Sequence, residues 1–275
     1  MSSYLSIIIF LLSTVFYYTI IKLPFNIVYL TSAEEYTKYA KSSYFRLFLY
    51  FLLVVVTQFG VNINIMINRC GGSVSQNIAA AALMTFIPWT FIFGVAIAVL
   101  IMYPSFKTPF SNVIGYFIVS GKANTLLSTQ ILRGPEEMNV AINGAAESER
   151  QSLHAAAETI IKICGNLSVL INNITPDTFI EYWEKLKPLM KDNVYTNGAI
   201  KQQLLSIVVE RDNIGEALWY IYTACLVTSV VQYNMATRPC TQNLASLQAS
   251  YQDYLETDNA NEAAAAKNSR EYTVG

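Results

Sequence analysis

The stretch Tyr4-Leu-Ser-Ile-Ile-Ile-Phe-Leu-Leu-Ser-Thr-Val-Phe-Tyr-Tyr-Thr-Ile-Ile21 carries no charged residue. A helix needs roughly 20 mostly apolar residues to cross about 30 Å of hydrocarbon, and this stretch comes close. It has no basic n-region, its apolar run is long, and Lys22-Leu23-Pro24 is not a small-residue cleavage site. It therefore reads as a retained signal anchor rather than a cleaved signal peptide.

Two further stretches reach the same length. Leu47 to Ile67 follows Arg46 and is interrupted only by Thr57, Gln58, Asn62 and Asn64. Ile78 to Tyr103 opens with four alanines, Ala79 to Ala82, and holds Pro88 in its interior. A proline there removes one backbone hydrogen bond and predicts a kink, with a neighbouring helix packed where the carbonyl is freed. Gly215 to Ala236 is a fourth candidate, apolar on every helical face but weakened by Glu216 and several hydroxyl residues. A helix apolar all round is either core or membrane, and both readings stay open for it.

Composition agrees with a membrane protein. Of 275 residues 53% are hydrophobic and 13% charged, about half the charge of an ordinary soluble domain. Residues 1–125 hold seven basic and two acidic side chains, a net of +5, which leaves eleven basic and seventeen acidic, a net of −6, for the remainder. Lys22, Lys38, Lys41 and Arg46 crowd the first loop and Lys107 and Lys122 follow the third helix, whereas the second turn holds only Arg69. The positive-inside rule then places the first loop and the segment after the third helix in the cytosol. The N-terminus and the Arg69-Cys70-Gly71-Gly72 turn fall outside or in a lumen.

Pro104 to Val119 is too short and broken to span, yet too apolar for an ordinary loop, which predicts a segment lying along the interface. Helical periodicity returns in Ser148 to Asn172, Pro176 to Met190 and Ala199 to Val209, with loop chemistry at Asn193 to Gly198. From Thr241 the chain turns polar, which predicts disorder or a partner-stabilised tail. The expected fold is all-α, a polytopic membrane protein with three to four transmembrane helices and a small cytosolic helical domain. Residues 1–103 hold the first three helices, 104–124 the interfacial segment, 125–212 the domain, 213–236 the candidate fourth helix and 237–275 the tail.

Little in the sequence carries reaction chemistry, and an enzyme is not expected. The single histidine, His154, has no ligand or carboxylate partner at useful spacing. Cys70, Cys164, Cys225 and Cys240 are too scattered for a zinc site. Neither a serine nucleophile elbow nor a phosphate loop is present, and no cofactor, nucleic acid or small-molecule substrate is implied. Gln58 and Asn62, four residues apart, share one face of the second helix. Either they line a polar pathway, as in a small pore or transporter, or they bond to neighbouring helices, the more economical reading without an intramembrane charge. Gln58, Asn62, Ala80 and Pro88 are accordingly the candidate helix-packing residues.

The motifs Cys70-Gly-Gly72, Phe86-Ile-Pro-Trp89, Ile92-Phe-Gly94, Pro109-Phe-Ser-Asn-Val-Ile-Gly-Tyr116 and Ile214-Gly-Glu-Ala-Leu-Trp219, through Leu226-Val-Thr-Ser229 to Tyr233-Asn234 and Cys240, carry a resemblance. Over residues 62–240 the sequence resembles a multi-span membrane protein of nucleocytoplasmic large DNA viruses, of the chlorovirus and mimivirus type. The resemblance implies a minor capsid protein of the virion's internal membrane, in contact with lipid, capsid shell proteins and other minor capsid proteins, and during assembly with a membrane derived from the host endoplasmic reticulum. If Gly215 to Ala236 spans, Cys240 reaches the same luminal surface as Cys70. A Cys70–Cys240 disulfide is then expected, against the alternative of two unrelated free thiols.

Overall fold

The computed structural model describes residues 2–71, 74–134, 136–137, 140, 143, 150, 167–238, 240 and 244–268. Four helices within it are long and apolar enough to cross a membrane. The first is α1 (Ser2–Phe16), prolonged by a π-turn (Tyr17–Ile21). The second is α2 (Ala33–Cys70), whose start follows from the Ser32-Ala-Glu-Glu35 sequence. Ser32 accepts the Glu35 amide at 3.2 Å, and Glu34 and Glu35 sit in the first turn where the helix dipole favours acids. The third crossing runs through α3 (Val74–Pro88), a π-turn (Trp89–Phe93) and α4 (Gly94–Met102). Pro88 lacks an amide hydrogen, and the chain passes from it into the wider π-turn, a common adjustment where the regular bonding ladder is interrupted.

Beyond Met102 come a 3-10 turn (Pro104–Lys107), a short helical turn (Thr108–Phe110), a π-turn (Ser111–Gly115), α5 (Tyr116–Leu126) and another π-turn (Leu127–Ile131). A 3-10 helix (Leu167–Asn173) and α6 (Phe179–Leu186) follow. The fourth crossing belongs to α7 (Gly198–Thr237), capped by the Asn197 side chain on the amides of Ala199 and Ile200. The chain then forms α8 (Leu244–Asn268). Most of Ser148 to Asn172, including His154 and Cys164, lies outside the described residues. Among the described residues there is no strand, only a bridge between Leu132 and Met190.

The four crossings alternate in direction, and α1 touches α2, α2 touches α3, and α7 closes the ring by touching both α3 and α1. Rings from every crossing meet at its centre. Phe10 and Tyr17 come from the first, Tyr50 from α2, Trp89 and Phe93 from the π-turn and Tyr220 from α7. Tyr17 stacks on Tyr50 at 4.5 Å, and Phe93 meets Phe10 and Tyr220 edge-on at 5.6 and 5.9 Å. Such geometry adds to the area these rings bury. The outside is the opposite of a soluble surface: Ile8, Leu12, Val15, Phe45, Phe48, Val56, Phe91, Val95 and Leu226 are all exposed. A contiguous apolar exterior of this extent is suited to lipid.

A second core forms an extramembrane helical domain. Val119, Ala123 and Leu126 of α5 and Phe179, Trp183 and Leu186 of α6 close on Leu204, Leu205 and Val208 of α7. Phe25, Ile27 and Leu30 of the first loop pack against it, and Gln202 accepts the Ile27 amide at 2.9 Å. The Leu132–Met190 bridge is reinforced by Arg133 N donating to Leu189 O and Lys191 N to Ile131 O. Because α7 contributes to both cores, Ala199–Val209 and Gly215–Ala236, separate helices in the sequence reading, are one helix. In the tail, for which the sequence predicts disorder or stabilisation by a partner, α8 is helical and its described side chains from Tyr251 to Ala264 are exposed. Its alanine run Ala263–Ala266 supplies intrinsic helix propensity where burial does not.

Candidate functional site

The polar residues predicted for helix packing lie inside the bundle. Gln58 and Asn62 are both fully buried on α2, but they serve different neighbours. Gln58 Nε2 donates to Ser6 O at 2.9 Å while Ser6 Oγ donates back to Gln58 Oε1, tying α2 to α1. Asn62 Nδ2 donates to Thr85 Oγ1 at 2.8 Å, tying α2 to α3, and its Oδ1 is buried without a partner. Within the alanine stripe Ala81 is fully buried and Ala80 partly so, and Pro88 is buried beside Trp89.

At the far end of the bundle from the extramembrane domain, Cys70 and Cys240 form a disulfide with Cα atoms 5.4 Å apart, closing a separation of 170 residues. Gly71 ends α2 there at φ 70°, a conformation that favours glycine. Arg69 donates to the Ala236 carbonyl at 2.6 Å, covering an open carbonyl at the end of α7. Cys225 remains a free thiol.

The opposite end, where the bundle meets the domain, carries a cluster with no counterpart in the sequence reading. Asp212 and Glu216 are one turn apart on α7 and share a face. The end of the first crossing brings Lys22, whose ammonium lies 2.7 Å from Glu216 Oε1, and Tyr18, whose hydroxyl donates to the same oxygen at 3.0 Å. The turn after α4 brings Lys107, 2.6 Å from Asp212 and 3.6 Å from Glu216. All four charged side chains are between 12% and 15% exposed. Burial alone would lower the Lys107 ammonium, but the Asp212 and Glu216 carboxylates outweigh it and hold the group above its ordinary value. The Lys22 ammonium also lies 4.7 Å from the centre of the Tyr18 ring. These paired charges tie three crossings together at the junction.

Beside this cluster α7 places Arg211, 2% exposed, against the 3-10 helix. Its guanidinium donates to the carbonyls of Ile171 and Ile174 and to Asn172 Oδ1. A cavity of about 390 Å³ opens next to both groups. Neither Gln58 nor Asn62 lines it. Among the described residues no group of His, Cys, Asp and Glu is placed to hold a metal ion.

No family model matches the chain, and no curated protein or solved structure is significantly similar to it.

Proposed function

We propose that the protein is a structural membrane anchor, joining a bilayer to a protein layer on the side of its extramembrane domain. The observation that carries this reading is α7. Its 40 residues extend about 60 Å without interruption, with Leu204, Leu205 and Val208 in the domain core and Tyr220, Val227 and Val231 in the bundle core. A load on the domain passes into the membrane through one rigid element. The cluster around Glu216 braces the junction from two other crossings.

Following the resemblance, the layer is the capsid shell of a large icosahedral DNA virus and the bilayer its internal membrane, taken from the host endoplasmic reticulum during assembly. The protein is then a minor capsid component whose partners are shell proteins and other minor capsid proteins. The concentration of lysines on the domain side supports a cytosolic domain. The Cys70–Cys240 bridge at the other end supports the same orientation, because disulfides persist in the oxidising lumen. A pore would instead use the Gln58 and Asn62 face, but both amides are engaged with neighbouring helices and aromatic rings fill the bundle centre. These contacts favour the anchor.

Crosslinking mass spectrometry on purified virions tests the reading. The exposed Lys122 and Lys185 of the domain are expected to crosslink to capsid-shell proteins. Absence of the protein from virions, or crosslinks to no shell component, would refute it.

A further inference from the structure

A groove of about 520 Å³ runs between α3 and α7 on the outside of the bundle, away from the junction cavity. Leu83, Met84, Ile87 and Pro88 of α3 form one wall, and Asn234 and Thr237 of α7 form the other together with Arg238, just beyond the end of that helix. Leu83, Ile87 and Thr237 are exposed, while Met84, Asn234 and Arg238 are half-buried, so the groove opens to the surroundings of the bundle. Among the described residues no hydrogen bond or ion pair engages the Arg238 guanidinium or the Asn234 side-chain amide, and no carboxylate lines the groove. A guanidinium keeps its charge in such a place, and its planar set of donors matches a phosphate.

Depth separates the two kinds of wall. Arg238 lies beside Cys240, whose bridge to Cys70 marks the end of the bundle, the level of lipid headgroups. At roughly 1.5 Å per residue, Leu83 to Pro88 lie about 13–21 Å along α3 from its first residue, Val74. The groove is therefore cationic where headgroups lie and apolar where acyl chains lie. Its apolar wall continues the lipid-facing exterior through the exposed Leu83, Phe86 and Ile87. The open carbonyls at the end of α7 would by themselves repel an anion. Arg69 offsets them by donating to the Ala236 carbonyl at 2.6 Å, and it brings a second guanidinium to the same end.

We propose that this groove binds one anionic phospholipid from the leaflet on the disulfide side. The phosphodiester accepts from the Arg238 guanidinium, and the Asn234 amide is a further donor on the same wall. One acyl chain lies along Leu83, Met84 and Ile87 toward Pro88, and the other stays in the bilayer. A zwitterionic headgroup fits less well, because its cation finds no carboxylate in the groove and faces two arginines. An arginine at a membrane surface commonly reaches out to headgroups at large; Arg238 differs in being half-buried at the mouth of an apolar groove. This inference rests on the membrane-spanning bundle and is independent of the capsid reading.

The full chain, purified in detergent and stripped of lipid, can be titrated with phosphatidylglycerol and phosphatidylcholine of identical acyl chains and observed by native mass spectrometry. One phosphatidylglycerol is expected to bind at least about tenfold more tightly than phosphatidylcholine. Arg238→Gln is expected to abolish that preference. Leu83→Trp, which fills the groove from its exposed wall, is expected to remove the single tight phosphatidylglycerol. Folding of each variant is checked by the intact Cys70–Cys240 bridge and a monodisperse elution. Should Arg238→Gln not fold, Leu83→Trp, altered at an exposed position, decides. Equal binding of the two lipids, an unchanged preference in folded Arg238→Gln, tight phosphatidylglycerol binding retained in Leu83→Trp, or full displacement by inorganic phosphate at the lipid's own concentration would overturn the assignment.

Discussion

A Cβ on Gly215 would stand 2.7 Å from the backbone nitrogen of Ser111, so α7 and the Ser111–Gly115 π-turn meet backbone to backbone. One turn further on, a Cβ on Gly115 would stand 2.5 Å from the Arg211 carbonyl oxygen. Glycine is required at both positions by lack of space, not by backbone conformation. Gly215→Val and Gly115→Val are each expected to lower stability by about 1–3 kcal/mol or more, the cost of overpacking. Gly60→Ala, where an added methyl meets nothing within 4 Å, should leave thermal unfolding in detergent unchanged. A Gly60 variant that melts below the other two would contradict this view of the crossing.

The cluster around Glu216 gives a second prediction. Glu216→Gln removes the carboxylate shared by Lys22 and Lys107, leaving partly desolvated ammoniums, and breaking such a pair from one side costs about 3 kcal/mol. The double variant Lys22→Met, Glu216→Met is expected to recover part of that loss. If the double change is as harmful as the two single losses added together, the pairing between Lys22 and Glu216 is not what stabilises this junction.

Lys107 fixes the pH behaviour of the same site. Its folded value is raised above the ordinary 10.5, so its contribution is fully present below that pH and is lost only as pH rises through the folded value. Lys107→Met should therefore cost the same stability at about pH 6 and about pH 9 and less in stronger alkali. A loss that vanishes between pH 6 and 9, read from denaturation midpoints of both proteins, would assign the effect to another group.

The crossings were legible because a bilayer imposes length and excludes charge, and Tyr4–Ile21 or Ile78–Tyr103 display both without reference to the rest of the chain. Gly215–Ala236 was ambiguous for the same reason, since Glu216 looked like a flaw in a span. Its partners Lys22 and Lys107 lie far away in sequence, and only tertiary structure brings them together. The continuity of α7 was hidden likewise: Glu210, Arg211 and Asp212 resembled a boundary, yet they are satisfied by Lys122, the Ile171 and Ile174 carbonyls, and Lys107. Spacing placed Gln58 and Asn62 on one face, but it could not reveal that one serves α1 and the other α3.

Those two amides supply a further prediction. Gln58→Leu and Asn62→Leu each remove interhelical hydrogen bonds worth on average about 0.6 kcal/mol apiece in membrane proteins. Asn62→Leu is expected to be the milder change, because the buried, unpartnered Oδ1 is removed with the bond. In liposomes neither the unaltered chain nor the double variant should pass ions or small solutes. Flux through the unaltered chain that the double variant abolishes would favour a pore over an anchor.

The last prediction couples the disulfide to the orientation of the chain. Cys70 and Cys240 end α2 and α7 on one side of the bundle, while Asn173-Ile-Thr175, a glycosylation acceptor sequence, lies on the domain side. A bridge formed in the lumen therefore requires a cytosolic Asn173, out of reach of the glycosylation machinery. In microsomes the newly made chain should carry no glycan at Asn173, and non-reducing peptide mapping should recover Cys70 joined to Cys240. Loss of the bridge in Cys70→Ser should lower stability by about 2–4 kcal/mol, the usual range for a disulfide closing a long loop. The two readouts must agree. A glycan on Asn173 together with free thiols at Cys70 and Cys240 would place the domain in the lumen, invert the topology, and remove the cytosolic face that the anchoring role needs.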